Sequence, residues 1–523
     1  MIHRKLALAV AGVLLSTSFS FSQSAPATQP MAEAAQPIDR FSLTVYSSAD
    51  PATFDPRGNP SNPYGYGAQP QLPGYGVVRE IRSIDLAKGI NTLRFTDVAA
   101  GIDPTTVSFL SMTDPAGTGV LEQNYEYDLV SPQKLLEKYV DKEVILERYV
   151  GDGKMESIRG TLMSSNPGGG VVLKTVDGGV RIVNGYNGIQ VADAAGLITK
   201  PTLVWQLTAV QRGRHDAQVT YQTDGLTWRA DYNILLNETD TKADLGAWVT
   251  IVNRSGASYP ETRLKLVAGD VQRIQPEQRG YARASKQMAA ARDASESDMG
   301  FQEKSFFEYH LYTLGRTTTL PDNSVKQIEL FDAKTDVPVE KVFVYYGLSE
   351  QWRHWSAPSP NYDRNLGAEM NKKVDTYVQI DNREQSGLGI PLPAGRVRVY
   401  KRDDADKTNE FIGEDVIQHT PKNEKILIKL GSAFDIVGER TQTDFSFSTD
   451  DNWAVETFEI KVRNHKKEPV KVIIKENLLR WSNWNIEKST DAWTKQDFRT
   501  IHIPVDVPAD GEKVVKYTVR YTW

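Results

Sequence analysis

Alternation of apolar and polar residues over many short segments is the feature that most constrains this fold. The pattern is clearest in the C-terminal part of the chain, in segments 377–380, 396–400, 425–430, 459–462, 470–474 and 513–521. Successive side chains of a strand point to opposite faces, so this pattern predicts antiparallel sheets that bury one face. We therefore predict an immunoglobulin-like β-sandwich over residues 351–523.

Short strand candidates with frequent turns also fill the region from 142 to 191. The segments 152–153, 166–170, 177–179 and 187–188 are rich in Gly, Asn or Asp, which tolerate the backbone angles of tight turns. We predict a small barrel of SH3-like size here, and the alternative that the region belongs to a larger sandwich stays open. Just before it, Ser131 and Pro132 suit the N-cap and the first position of a short helix.

Composition and turn signals divide the chain into six consecutive parts. They are a signal peptide at 1–22, a flexible leader at 23–38, an N-terminal β domain at 39–130 with a Pro/Gly/Tyr-rich loop at 50–76, a short helix plus small barrel at 131–196, a β domain at 197–350 with a polar insertion at 275–305, and the C-terminal sandwich at 351–523. The expected fold class is therefore mostly β and multidomain.

The N-terminus has the features of a secretory signal peptide. Residues 1–5 are positively charged, residues 6–15 are apolar or small, and residues 20–22 form a small-x-small cleavage site before Gln23. We therefore expect a periplasmic or secreted protein. The chain has no cysteine, which excludes disulfides, thiolate metal ligands, cysteine nucleophiles and a lipid-modified cysteine anchor. An exported chain without cysteine favours a bacterial envelope.

Net charge and hydropathy argue against two kinds of partner, nucleic acid and a membrane crossed by a second helix. The net charge of −6 argues against nucleic-acid binding, which needs a strongly basic face. After the signal peptide no run approaches the ~18 apolar residues of a membrane span, so we expect no second transmembrane helix. The sequence does not specify an oligomeric state.

Pieces of sequence in a fixed order carry a resemblance to a known family. They lie at 221–232, 264–270, 308–312, 326–330, 391–400, 411–413, 434–440 and 462–464. Together they resemble domain of unknown function 4139, the mucoidy-inhibitor-like proteins, over roughly residues 200–523, and residues 43–110 resemble the N-terminal domain of those proteins. The resemblance implies an exported β-rich protein and no established activity or catalytic residues. Many relatives carry a coiled coil where this chain has the region 142–191 and no heptad run.

The chain lacks the residue spacings of common catalytic and metal sites. None of its seven histidines pairs with another at metal-ligand spacing, no Gly-x-Ser-x-Gly nucleophile motif occurs, and no Gly-rich loop opens a helix. We predict no catalytic residue, no metal site and no cofactor. Asp403, Asp404 and Asp406 lack the Gly and the distal Glu of a calcium loop, and we interpret them as a solvated hairpin tip.

Tryptophan-rich segments are the best candidates for packing or ligand contact. In the segment 228–232, Trp228 and Tyr232 share one face of a strand, and we predict that they face the core with an Arg229–Asp231 ion pair outside. Two further motifs lie near turn-like sequence and are the candidate ligand-binding residues: Trp352, Arg353, Trp355, Trp481, Asn483 and Trp484. An indole beside polar groups suits a sugar ring or a peptide, and packing between domains or between sheets is the alternative.

The function favoured by these observations is an exported, non-enzymatic β protein that binds another cell-envelope protein or glycan. One alternative is an exported hydrolase of envelope polysaccharide, with a carboxylate pair assembled in space. Another is an outer-membrane β-barrel, because the alternating last strand ends on the C-terminal aromatic residue Trp523.

Overall fold

The protein is built almost entirely from strands. A computed structural model describes residues 40–46, 50–56, 72–126, 131–150, 153–165, 170–192, 200–269, 271, 301–353, 355, 359–367 and 370–523. The prediction of a mostly β fold is confirmed. The predicted signal peptide and leader lie outside the described residues, as do most of the loop 50–76 and residues 275–300 of the polar insertion.

The first half of the described chain contains fifteen strands and one helix. In chain order they are β1 (Phe41–Tyr46), β2 (Tyr75–Leu86), β3 (Gly89–Thr96), β4 (Ile102–Ser111), β5 (Thr118–Glu126), α1 (Pro132–Lys138), β6 (Glu143–Val150), β7 (Lys154–Ser165), β8 (Gly170–Thr175), β9 (Val180–Asn184), β10 (Gly188–Gln190), β11 (Thr202–Ala209), β12 (Gly213–Asp224), β13 (Leu226–Leu236), β14 (Lys242–Asn253) and β15 (Tyr259–Ala268).

The second half adds longer strands and two short helical turns. They are β16 (Phe301–Phe306), β17 (Tyr309–Leu320), β18 (Ser324–Tyr346), α2 (Glu350–Arg353), β19 (Lys373–Asp381), a 3-10 turn (Glu384–Ser386), β20 (Gly395–Arg402), β21 (Asn409–Ile417), β22 (Lys425–Ser448), β23 (Trp453–Asn464), β24 (Val470–Asn477), β25 (Trp484–Ser489), β26 (Thr494–Lys495), β27 (Thr500–Val507) and β28 (Gly511–Thr522). Residues 301–305 were predicted as part of the polar insertion, but they form β16 because they pair with β17.

Sheets combine strands that are far apart in the sequence. A seven-stranded sheet has the order β16-β17-β15-β1-β2-β12-β4, and β3-β11-β5 form a three-stranded sheet. The largest sheet follows the path β21-β20-β13-β14-β18-β19-β22-β23-β28-β25, and β24, β27 and β26 branch from β18. Among the described strands, three pairs are parallel, although the sequence predicted antiparallel sheets: β1–β15, β13–β20 and β18–β24. Alternation reports the buried face of a strand but not the direction of its neighbour.

Most of the N-terminal and central strands surround one large hydrophobic core, which we call core 1. Its members run from Phe41 to Ile428. The indole Nε1 of Trp228 donates to the carbonyl of Val45 at 3.1 Å, and its ring lies 6.4 Å edge-on from Tyr312. The prediction that Trp228 and Tyr232 face the core is therefore confirmed.

A second core, core 2, fills the C-terminal sandwich-like region. One layer consists of β22, β23 and β28, and the other consists of β24 and β27, with apolar side chains of both layers between them. Val515, Tyr517, Val519 and Tyr521 of the last strand are buried here. The long strands β18 and β22 supply side chains to core 1 with one half and to core 2 with the other.

Core 3 lies in the small antiparallel sheet β10-β6-β7-β8-β9. The predicted helix is confirmed: Ser131 Oγ accepts the backbone N–H of Lys134 at 3.2 Å, and Pro132 opens α1. The predicted barrel is wrong in one respect, since none of the described pairings joins β9 to β10 and the sheet stays open. Leu136 and Tyr139 of the helical segment pack into the same cluster, so the apolar side chains of the sheet are buried although the sheet does not close.

Candidate functional site

The first tryptophan motif follows β18 directly and forms α2. Trp352 and Trp355 are half-buried, and their rings meet edge to face at 5.3 Å. The indole Nε1 of Trp352 is buried and has no hydrogen-bond acceptor among the described residues. The Arg353 guanidinium lies 4.1 Å over the ring of Tyr346, and its Nη1 lies 3.7 Å from Asp375 Oδ2.

Backbone carbonyls hold this motif against the second layer of the sandwich. Asn477 Nδ2 donates to the carbonyl of Arg353 at 2.6 Å, and Arg499 Nη1 donates to the carbonyl of Trp355 at 2.9 Å. Asn477 ends β24 and Arg499 precedes β27, so both anchors come from the strands that pair with each other. The motif is thus fixed by side chains more than 120 residues away.

The second motif lies at the start of β25. Trp481 packs on core 2, and Asn483 Nδ2 donates to Thr522 Oγ1 at 2.7 Å. Trp484 donates from Nε1 to the carbonyl of Phe498 at 2.6 Å, and Lys495 Nζ lies 4.6 Å over its ring. The indole donor of Trp484 is therefore occupied within the protein.

One turn, residues 496–499, links the two motifs. Asp497 Oδ1 accepts the backbone N–H groups of Arg499 and Thr500, both at 2.8 Å, which fixes the turn. The carbonyl of Phe498 accepts the indole N–H of Trp484, and the side chain of Phe498 is 58% exposed. The next residue, Arg499, donates to the carbonyl of Trp355. The structure therefore brings both predicted motifs to one region.

We call this region the aromatic–basic surface and define it by eight residues: Tyr346, Arg353, Trp355, Lys475, Trp484, Lys495, Phe498 and Arg499. Four cations lie over aromatic rings. Arg353 and Lys475 lie 4.1 and 5.4 Å from the ring of Tyr346. Lys495 lies 4.6 Å from the ring of Trp484, and Arg499 lies 5.2 Å from that of Phe498. Such contacts orient both groups. Of the predicted residues, Trp352, Trp481 and Asn483 pack or bond beneath this surface instead.

Three cations of the surface make no ion pair within 4.0 Å in the described part of the chain, although the charge of Arg499 helps to lower the pKa of Asp497. Among the described residues, no carboxylate lies within 4.0 Å of the charged nitrogens of Lys475, Lys495 or Arg499, whereas Arg353 approaches Asp375. Burial lowers the pKa of His502, the cross-strand neighbour of Lys475; Lys475 lowers it further and Asp497 opposes the shift. His502 is therefore neutral at pH 7, and the charge of the surface comes from the lysines and arginines.

Sequence reasoning missed Tyr346, Lys475, Lys495, Phe498 and Arg499. Alternation in β24 does place Lys475 on the face opposite Ile474, which is buried in core 2. That signal assigns a face to the residue but no neighbour. Only the parallel pairing of β18 with β24, which sets Tyr346 beside Lys475, reveals the contact.

The Arg229–Asp231 ion pair exists but is not outside, which corrects the sequence prediction. Arg229 Nη2 lies 3.0 Å from Asp231 Oδ1, and both side chains are buried. Residues 50–56 cover the pair, since Arg229 Nη1 donates to the carbonyl of Phe54 at 2.5 Å. A strand covered on both faces buries its polar side chains as well, and they persist there because they pair.

The acidic segment after β20 is an exposed hairpin tip, as predicted. The backbone N–H of Asp403 donates to Thr408 at 2.8 Å, and Asp406 Oδ1 accepts from the backbone of the same threonine at 2.9 Å. Within the described ranges, no group of three or more His, Asp or Glu side chains is arranged to hold a metal ion.

Comparisons with known proteins complete the description of the site. No helix in the described part of the chain is long and apolar enough to cross a membrane. No family model matches the chain, and no curated protein matches its sequence. The resemblance to domain of unknown function 4139 therefore stays a prediction that rests on the ordered sequence pieces.

Proposed function

We propose that this chain is an exported, non-enzymatic β protein that binds an acidic component of the bacterial cell envelope through the aromatic–basic surface. It works in the periplasm or outside the cell, as the N-terminal sequence predicts. The partner is a protein or a glycan with clustered negative charge.

The observation that carries the proposal is the array of cations over aromatic rings around one fixed turn. Lys475 and Lys495 hold their charges beside Tyr346 and Trp484, with no carboxylate of the described residues within 4.0 Å of either charged nitrogen. A cation already held on a ring loses less side-chain freedom when a ligand binds. The negative groups of an anionic partner are attracted to these two lysines, and its apolar parts contact the exposed side chain of Phe498.

The turn and its anchors supply a rigid base for such contacts. Asp497 fixes the backbone of residues 496–500, while Arg499 and Asn477 tie the α2 segment to β24 and β27. Pre-organised surfaces bind more tightly because little ordering remains to be done on association. The surface therefore suits stable recognition of a charged partner.

A pull-down with charge-reversed variants tests the proposal. The mature chain from Gln23 onward is immobilised and exposed to soluble and detergent-extracted envelope fractions of the native host at about 50 and about 300 mM salt. We expect one reproducible acidic partner whose recovery falls at the higher salt and at least tenfold in the double variant Lys475→Glu/Lys495→Glu.

The matched control is the double variant Lys88→Glu/Lys154→Glu, which changes the net charge by the same amount. Both lysines are exposed: Lys88 lies between β2 and β3, and Lys154 is the first residue of β7. It should retain the partner. Equal loss of the partner in both double variants, or recovery that does not depend on salt, would contradict the proposal.

A further inference from the structure

Two phenylalanines are exposed at the tip of the hairpin formed by β16 and β17. Phe306 pairs with Tyr309, so Phe307 and Glu308 form the turn between the two strands. Phe306 is 54% exposed and Phe307 is 82% exposed. Turns of two residues favour Gly, Asn and Asp, and phenylalanine is usually buried. The tip therefore presents a patch of apolar surface to the outside of the molecule.

The backbone of Phe307 is in the left-handed region, with φ at +59°. Bulky side chains rarely adopt this region, which glycine and asparagine tolerate better. The ring of Phe307 lies 6.1 Å from that of Tyr309 and has no place in core 1. An exposed aromatic residue in a strained conformation contributes less to folding than asparagine would, so its presence points to a contact outside the chain.

Two lysines lie on the same face of the seven-stranded sheet as Phe306. Successive residues of a strand alternate between faces, so Gln302, Lys304 and Phe306 of β16 share one face. Gln302 pairs with Thr313 of β17, and Thr313 pairs with Lys265 of β15. Because paired residues point to the same side of a sheet, Lys265 is on this face as well.

The face that carries these lysines is turned towards solvent. Leu264 and Leu266, which flank Lys265 in β15, point to the other side and are fully buried members of core 1. Lys265 is half-buried among its neighbours on the sheet, and Lys304 is exposed. A partner can therefore reach both ammonium groups from outside.

Two arginines extend the positive charge of this face towards β2. Ser42 of β1 pairs with Arg263 on one side and with Arg79 on the other, which sets both arginines on the face of Lys265. Burial lowers the pKa of Lys265, and the charges of Lys304 and then of the two arginines lower it further. Three positive charges thus act on this lysine, and an anionic surface that approaches the face relieves their repulsion.

Carboxylates in the described strands of the same sheet face are remote from Lys265. With about 4.8 Å between strands and about 3.3 Å per residue, each is about 13 Å or more away. Exposed charges at such distances are largely screened, because the Debye length is ~8 Å at physiological salt. These carboxylates are Asp85, Asp103, Asp216, Asp224 and Glu261.

Two other carboxylates lie closer to Lys304. Glu303 precedes it in β16 and points to the opposite face, where His310 Nδ1 lies 2.6 Å from Glu303 Oε1. Glu308 is exposed in the turn beside Phe307. The tip thus carries one negative charge ahead of the basic face, and removal of that charge should strengthen contact with an anionic surface.

We propose that the β16–β17 hairpin docks on an anionic membrane surface. Phe306 and Phe307 enter the boundary between head groups and acyl chains, and Lys304 and Lys265 contact lipid phosphates. A purely ionic ligand would not use the exposed phenylalanines, whereas a membrane uses both the apolar tip and the cations behind it. This contact goes beyond the function proposed above, since none of its residues belongs to the aromatic–basic surface.

Cosedimentation of the mature chain with lipid vesicles tests the inference. The probes are vesicles of about 70% phosphatidylethanolamine and about 30% phosphatidylglycerol, with vesicles of phosphatidylcholine as the uncharged comparison. We expect binding to the anionic vesicles to be about fivefold stronger or more and to fall between about 50 and about 300 mM salt. Absence of binding to the anionic vesicles would overturn the inference.

Matched variants locate the apolar part of the contact. Phe306→Ser/Phe307→Ser should weaken binding to the anionic vesicles about tenfold or more. The control Phe411→Ser/Phe434→Ser removes two phenylalanines of β21 and β22 that are 55% and 96% exposed, and it should bind as the wild type does. Equal loss in the two double variants, or no loss in the first, would overturn the inference.

Charge variants locate the basic part. Lys265→Gln/Lys304→Gln should weaken binding about fivefold or more, whereas Lys88→Gln/Lys154→Gln removes the same charge elsewhere and should have little effect. Glu308→Gln should strengthen binding. If both lysine pairs lower binding equally, the chain adsorbs through its overall charge and the proposed contact is wrong.

Phe307→Asn separates binding from folding. Asparagine tolerates the left-handed backbone, so thermal unfolding should show a Tm no lower than that of the wild type while vesicle binding falls. Retained binding in this variant and in Phe306→Ser would count against the contact. Because the vesicles contain no protein or glycan and the envelope pull-down uses variants of Lys475 and Lys495, failure of either proposal leaves the other measurable.

Discussion

Buried charges are the most demanding feature at the scale of single residues. Arg440 Nε lies 2.8 Å from Glu476 Oε2, and Arg480 Nη2 lies 2.8 Å from Glu456 Oε1, with all four side chains inside the C-terminal sandwich. Tyr517 also donates its hydroxyl to Glu476, and burial raises the pKa of this tyrosine well above its ordinary value. A buried charge is tolerated only while its partner is present.

Removal of Glu476 should therefore be far more damaging than removal of an exposed carboxylate. Glu476→Ala leaves Arg440 buried without its partner, and we expect a loss of about 3–5 kcal/mol in the free energy of unfolding. The control Glu439→Ala breaks a half-exposed pair with Arg463 at 3.1 Å and should cost about 0–1 kcal/mol. Urea denaturation measures both, and similar losses would contradict the expectation.

Two strand glycines differ in the space available to a side chain. A Cβ on Gly438 would lie 2.1 Å from the ring of Tyr345, which is fully buried, whereas Gly246 faces open space. We expect Gly438→Ala to lower the free energy of unfolding by about 1–3 kcal/mol or more, because the ring cannot yield. Gly246→Ala should leave it unchanged or raise it slightly. Thermal unfolding that lowers both variants equally would disprove this reasoning.

His502 predicts how stability responds to pH. Its folded pKa is lowered, first by burial and then by Lys475, so the unfolded chain binds a proton more readily than the folded chain. Stability from this group is full above its unfolded pKa of roughly 6.5 and falls as pH drops through the lower folded value. As the pH falls from 8 to 5, the difference in urea midpoint between the wild type and His502→Asn should therefore become smaller. A constant difference between the two would refute the prediction.

At the scale of elements, covering segments decide which strand faces are buried. Residues 50–56 cover the outer face of β13 and also meet β20, where Arg396 Nη2 donates to the carbonyl of Ala52 at 3.1 Å. The segment around α1 covers the small sheet through Leu136 and Tyr139 in the same way. These short segments bury strand faces that would otherwise be exposed to solvent.

The N-cap of α1 should therefore matter for the small sheet. Ser131→Ala removes the acceptor for the Lys134 N–H and should cost about 1 kcal/mol, while Ser131→Asp keeps an acceptor and should retain stability. Hydrogen exchange of amides in β6–β8 reports the local change. Equal protection in the alanine variant and the wild type would show that the cap does not hold the helix.

At the scale of the whole molecule, the three cores are not equally independent. Cores 1 and 2 share the strands β18 and β22, so one half of each strand cannot unfold without exposing the other half. Among the described residues, core 3 draws its members only from positions 135–191. We infer that cores 1 and 2 form one cooperative unit and that core 3 forms another.

Calorimetry should accordingly resolve two transitions. Leu146→Ala, in core 3, should lower only the smaller one, and Ile436→Ala, in core 2, should lower the larger one without splitting it; each loss is expected to be about 2–5 kcal/mol. Splitting of the larger transition by Ile436→Ala would mean that β18 and β22 do not couple the cores.

Patterns within a few residues were enough to predict many of the strands and their buried faces. Period-two alternation predicted the C-terminal strands and the core positions of Trp228 and Tyr232. Local chemistry predicted the Ser131 cap and the hairpin tip at 403–406. Both signals act within a few residues, where covalent geometry and steric preference dominate.

Only the tertiary structure decided which strands are neighbours and what covers them. The parallel pairs β1–β15 and β18–β24, the cover over Arg229 and Asp231, and the meeting of the two tryptophan motifs at residues 496–499 all join distant segments. An alternating strand is equally compatible with many neighbours, because the pattern records burial and not the identity of the contact.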